Sequence, residues 1–128
     1  MSQYYELGTV TLWNPSNGAS RLFLRQVRLF EEELGLPSGI GPMEADECQI
    51  TVGLLANFLD VLLVRRASTH HAVIQALSDG FIATMIVVAE RAGIEVRWPV
   101  PDAPVWGVAD VWGEVREHAR RLALQMAR

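Results

Sequence analysis

The longest apolar pattern in the chain runs from Ile50 to Ala92, in two blocks. Between Val52 and Val64 only Gly53, Asn57 and Asp60 interrupt it, and between Phe81 and Ala89 only Thr84 does. Strands usually run about 4–8 residues, and these blocks are longer and free of proline, so the pattern predicts two helices. A helix that is apolar on nearly all sides has to be enclosed by other elements. The hairpin is therefore expected to be the core, with the rest of the chain as its cover. Thr51 is placed to cap the first helix, and Arg65 and Arg66 lie near its C-terminal end, where cations favour the helix dipole. A turn at Ala67–Thr69 follows, with Ser68 or Thr69 capping a second helix from about His70 to Arg91. That helix is expected to continue through Gly80 and to stop at Gly93.

Before the hairpin, Gln3 to Trp13 is rich in β-forming residues, with Gly8 as a turn or bulge. Asn14-Pro15-Ser16-Asn17-Gly18 is a cluster of turn residues. It lacks the spacing and the lysine of a phosphate-binding P-loop, and reads as a cap. A helix from about Ala19 to Leu34 carries Phe23, Val27, Phe30 and Leu34 on one stripe, widened by Leu22, Leu24 and Leu29, and Gly35 is its stop. Leu36 to Gln49 reads as an irregular loop. After the hairpin, Ile94 to Trp98 alternates apolar and polar residues as a half-buried strand does, suited to pairing antiparallel with the N-terminal β segment. Pro99, Pro101 and Pro104 make a stiff connector. The last helix, about Ala109 to Ala127, carries a narrow seam of Val108, Trp112, Val115, Ala119, Leu122 and Met126. It either folds back on its own core or crosses to a second copy.

The fold expected is α+β and mainly helical: about four helices with a small two- or three-stranded antiparallel sheet. At 128 residues the chain reads as a single domain, with a body at 1–98, a proline-rich connector at 99–107 and a C-terminal helix at 108–128. The first block is too short to span a membrane and contains Asp60; the second is cut by Ser78, Asp79 and Gly80. No basic-then-apolar leader opens the chain. A soluble, cytoplasmic protein is expected.

Charge changes the picture in one place. Net charge is −4, and all eleven basic residues are arginine, which reads as genome composition rather than chemistry. Nothing favours a nucleic-acid partner. Between Glu31 and Glu47 there are six acidic residues and no basic ones: Glu31, Glu32, Glu33, Glu44, Asp46 and Glu47. The first three have the wrong sign for a helix C-terminus, a local conflict that an external partner would relieve. With half the residues hydrophobic, some subunit interface beyond the core is expected. Trp98, Trp106 and Trp112 around the connector, with Trp13, suit such an interface better than a ligand groove.

Trp13-Asn14-Pro15-Ser16-Asn17, Leu36-Pro37-Ser38-Gly39-Ile40-Gly41-Pro42-Met43 and Asp46-Glu47-Cys48 together resemble a family of small bacterial proteins of unknown function, over about Gln3 to Trp98. The resemblance implies a self-contained bacterial domain. It implies no activity, cofactor or catalytic residue.

Little in the sequence points to catalysis. Cys48 is the only cysteine, which excludes an intrachain disulfide, and Glu47 beside it disfavours a thiolate. His70 and His71 are adjacent and point about 100° apart on a helix, too divergent to share one metal. Glu114 and His118 at i,i+4 read as a surface helix pair. Ser78-Asp79-Gly80 is no nucleophile elbow. No catalytic residue, metal or cofactor is assigned. The remaining candidate is a polar pocket in the hairpin: counting back from a turn near Ala67–Ser68 places Asp60 by Gln75 and Asn57 by Ser78, with His71 one turn away. These residues would either hold a ligand or fix helix register. The expected function is a non-catalytic, homodimeric interaction protein whose acidic surface docks a basic partner, as an immunity, antitoxin-like or accessory protein does. The alternative is a small-molecule binder or enzyme with its pocket in the hairpin.

Overall fold

The structure, a computed structural model, describes residues 1–100 and 112–128. Its elements in order are β1 (Tyr4–Leu7), β2 (Val10–Trp13), α1 (Asn17–Leu34), β3 (Glu47–Gln49), α2 (Val52–Ser68), α3 (Ala72–Arg91) and α4 (Gly113–Gln125). Four helices and one three-stranded sheet are what the apolar pattern predicts.

The sheet has the order β2-β1-β3. β1 and β2 form an antiparallel hairpin turning at Gly8, whose φ of 61° needs no Cβ accommodated. The third strand differs from expectation. Ile94 to Trp98 has no strand partner; β3 takes the other edge of β1 and runs parallel to it, with Tyr5 level with Cys48. The sheet is therefore mixed, not purely antiparallel. Alternation at 94–98 did report burial: Ile94, Val96 and Trp98 pack against the core while Glu95 and Arg97 face water. It did not report pairing, because a strand also needs a free edge. The Leu36–Gln49 segment is correspondingly less irregular than expected. Ile40 bridges Ile50, Gly41 N–H donates to Gln49 O at 3.0 Å, and the segment returns as β3.

The helix ends follow local chemistry. Ser16 Oγ accepts from Ala19 N–H at 3.3 Å at the start of α1, and Gly35, at φ 68°, ends it. Thr51 occupies the cap position of α2 but makes no side-chain cap bond. The cap of α3 is His71, not Ser68 or Thr69: its Nδ1 accepts from Ile74 N–H at 3.4 Å. α3 runs unbroken through Gly80. It closes with Ile94 N–H on Ala89 O and Gly93 N–H on Glu90 O, both 3.0 Å, the paired bonds of a Schellman motif with Gly93 left-handed at φ 83°.

α3 is the centre of the molecule. From Phe81 to Ala89 all its residues except Thr84 are buried. Leu55, Phe58, Leu59, Leu62 and Leu63 of α2, the sheet residues Tyr5, Leu12 and Trp13, and Phe23 and Val27 of α1 complete the core. Five aromatic rings run through it, with Phe30 and Phe81 stacked at 4.5 Å and 2°. α3 is also long and apolar enough to cross a membrane by length and composition alone, since Ser78, Asp79 and Gly80 do not break it. The C-terminal helix packs in cis: Trp112, Val115, Ala119 and Met126 of its seam are buried and α3 is its main neighbour. Val108 and most of the connector lie outside the described residues.

Candidate functional site

The acidic segment folds into two unlike parts. Glu31 is drawn inward. Its Oε1 takes a 2.7 Å ion pair from Arg28, and its Oε2 accepts from Ser38 N–H and Ser38 Oγ–H, both at 2.9 Å. Ser38 is fully buried, and its Oγ in turn accepts from Ile40 N–H at 3.1 Å. Burial alone would raise the Glu31 pKa. The Arg28 guanidinium and the Ser38 donors outweigh it and hold the carboxyl below its ordinary value. Glu31 is thus an internal tie between α1 and the following loop, and its carboxylate is not offered to a partner. Arg28, which also reaches Ile40 O at 3.4 Å, is the basic residue that the Glu31–Glu47 window did not contain.

The other five carboxylates, of Glu32, Glu33, Glu44, Asp46 and Glu47, are exposed. Three of them sit on one tight turn. Glu44 and Glu47 exchange backbone hydrogen bonds at 2.9 and 3.0 Å, with Ala45 and Asp46 between them at φ 51° and 62°. Two positive φ values at the centre of a two-residue turn are the requirement of type I′, normally met by Asn-Gly. Tyr4 N–H donates to Asp46 O at 2.8 Å and Gln3 Nε2 to Asp46 Oδ1 at 3.2 Å, so the turn is tied to β1. Alongside runs a basic stripe on α1: Arg21, Arg25 and Arg28 border one groove with Met43 and Gln3. The i, i+4, i+7 spacing of these arginines was readable in the sequence and names a charge-bearing face that the acidic count overlooked.

The hairpin candidates are not gathered into a polar pocket. Asn57 and His71 are exposed, and His71 serves the α3 cap. Gln75 Nε2 donates to Thr69 O at 3.0 Å, and Ser78 Oγ donates back to Ile74 O at 2.7 Å. Asp60 is half-buried. The register between the helices is marked by Arg66, whose Nε and Nη2 donate to Asp79 at 2.6 and 3.2 Å. Antiparallel counting from that pair carries Asp60 past Gln75 towards Met85. The sequence count failed because the connector includes Thr69–His71 and its centre lies later than Ala67–Ser68. At the turn end of the hairpin there is instead a largely apolar cleft of about 400 Å³. Phe30, Leu34, Leu62, Ile74 and Ile82 line it, with Ser78 the one predicted pocket residue among its walls and Arg65 at its rim.

Cys48 is buried in β3, and that burial pushes its thiol up to about 11; the cause is desolvation, not the Glu47 carboxylate. Tyr5, pushed up to about 12 by burial, shares a 2.9 Å hydrogen bond with Ser20. Both are held in their neutral forms, unsuited to nucleophilic work at neutral pH. Trp98 and Trp112 meet each other at 5.3 Å, with Arg116 over the first and Arg66 over the second, so these tryptophans fasten the start of α4 to the body. Trp106 lies outside the described residues. Among the described residues no group of three or more His, Cys, Asp or Glu side chains is arranged so that it could hold a metal ion.

The chain belongs to DUF6086, a family of unknown function, whose model matches residues 1–128 and so extends past the Gln3–Trp98 span of the resemblance. No curated protein and no solved structure matches the chain.

Proposed function

We propose, for this member of a family without an assigned activity, a non-catalytic role in protein–protein interaction, with the acidic turn docking a more basic partner. The observation that carries the reading is the Glu44–Glu47 turn. Left-handed backbone at a non-glycine residue costs roughly 1–2 kcal/mol, and strained backbone of this kind clusters at functional positions. Here it holds three carboxylates out into water, while Glu31, next to the exposed pair Glu32 and Glu33, is kept for internal structure. An exposed acidic patch speeds encounter with a basic surface and loses its effect as salt screens it. Homodimerisation belongs to the same reading. The Arg21–Arg25 stripe beside the turn supplies the opposite charge for a second copy, and Val73 and Leu77 on α3 remain 58% and 73% exposed. An accessory or immunity-type subunit has these properties.

The test is partner capture from the native host, followed by affinity measurement at low and high ionic strength. Reversal of Glu44, Asp46 and Glu47 to lysine is expected to weaken binding, mainly through the association rate, and raised salt to do the same to the wild type. Affinity indifferent to both refutes the reading. A second reading, small-molecule binding, is favoured by the 400 Å³ cleft at the hairpin turn, which lies within the usual range of ligand pockets, ~300–1,000 Å³. Filling it with Ser78→Phe would abolish such binding and leave the acidic turn untouched.

A further inference from the structure

A second concave site lies between α3 and α4, on residues far apart in sequence. Arg91 on α3, Arg116 and Arg120 on α4, and Arg128 in the tail border a cleft of about 410 Å³, and among the described residues Glu90 is the only one lining it with a side-chain carboxylate. Four of the eleven arginines of a chain with net charge −4 thus converge on one cleft. Its remaining wall is apolar, formed by Ile86, Val87, Trp98, Ala119 and Ala123.

Arg91 and Arg116 are held in position by tertiary contacts, while Arg120 and Arg128 are exposed. The Arg91 guanidinium is half-buried, its Nη1 on Leu12 O at 2.9 Å and its Nη2 on Ala123 O at 3.0 Å. Arg116 lies over the Trp98 ring at 4.7 Å, and Arg120 is ion-paired with Glu117 at 2.7 Å. No carboxylate among the described residues forms an ion pair with Arg91 or Arg128. Burial, and after it the like charge of Arg128, lower the Arg91 pKa. Positive charge in excess of the Glu90 and Glu117 carboxylates, set against apolar walls, attracts a small anion, and guanidinium forks match the oxygens of phosphate.

We propose that this cleft binds a small phosphate monoester, with the phosphate between Arg91, Arg120 and Arg128 and the carbon skeleton against Ile86 and Val87. The site is independent of the acidic turn, and either reading stands without the other.

The test uses the full chain, titrated with n-butyl phosphate and with inorganic phosphate at constant ionic strength, followed by amide chemical shifts and by thermal unfolding. Both ligands are expected to shift resonances of α3 and α4 around the cleft and to raise Tm above the sodium chloride control. Butyl phosphate should bind several-fold more tightly than inorganic phosphate, because its chain covers apolar wall. The double variant Arg120→Gln/Arg128→Gln alters exposed side chains and should fold normally while weakening binding about tenfold or more. Ala123→Glu, which sets a carboxylate in the cleft, should abolish it. Tm shifts no greater than the chloride control, resonance changes away from the cleft, or undiminished binding by both variants would overturn the proposal.

Discussion

Glu31→Gln isolates the tie between α1 and the Ser38 loop. The wild-type carboxylate receives three donors, two of them from fully buried Ser38, while the Arg28 side chain is 48% exposed. The exposed ion pair contributes at most about 1 kcal/mol. Each Ser38 bond to a charged acceptor falls in the range of ~1.5–3 kcal/mol, and an amide oxygen retains part of it. The expected loss is therefore about 2 kcal/mol for Gln and about 3 kcal/mol for Ala. Urea unfolding followed by circular dichroism reads this directly: with m in the range of ~1–3 kcal/mol/M, the midpoint falls by roughly 1 M for Gln at unchanged m. The gap must also depend on pH. Because the folded pKa lies below the ordinary 4.5, the carboxylate's contribution is fully present above that value and is lost as pH falls through the folded pKa. Wild type and Glu31→Gln should thus converge on acidification. A loss under about 0.5 kcal/mol near neutral pH, or a gap that persists at acid pH, refutes the assignment of Glu31 as an internal tie.

Arg91→Met leaves the Leu12 and Ala123 carbonyls without their charged donor and should cost about 2–3 kcal/mol, seen as a lower Tm; Arg91→Lys, with one ammonium for two separated acceptors, should recover little. Gly39→Ala places a Cβ 2.5 Å from Thr51 O and 2.6 Å from Leu55 N at φ 79°, and is expected to cost about 3 kcal/mol or more in chemical denaturation. Ala45→Asn with Asp46→Gly supplies the residues a type I′ turn prefers and should raise stability by about 1–2 kcal/mol; no gain in Tm contradicts the turn geometry. Cys48, buried and with its thiol near 11, should react with a thiol reagent only as fast as the protein unfolds, which stopped-flow labelling against urea concentration checks.

The candidate sites were less legible than the fold. The acidic run is plain in the sequence, but its division into one internal carboxylate and five exposed ones depends on Ser38 and Arg28 coming to Glu31. The hairpin pocket was lost through register. Helical periodicity locates faces within a helix; the offset between two helices depends on a connector whose centre turn residues mark only loosely. The arginine cleft had no sequence signal at all, because Arg91 and Arg128 belong to different elements and meet only when α4 lies along α3.

By itself the sequence determined what depends on neighbours along the chain. Two long apolar blocks had to become enclosed helices, Gly35 and Gly93 had to end theirs, and Ile94, Val96 and Trp98 had to face inward. Those outcomes follow from backbone sterics and from burial of apolar surface, both of which act within a few residues. Tertiary structure alone decided which edge β1 would offer to β3, that α4 would cover its own α3, and which charges would stand together. Such choices depend on contacts between segments distant in sequence, and a hydrophobic pattern names the face to be buried without naming what it is buried against.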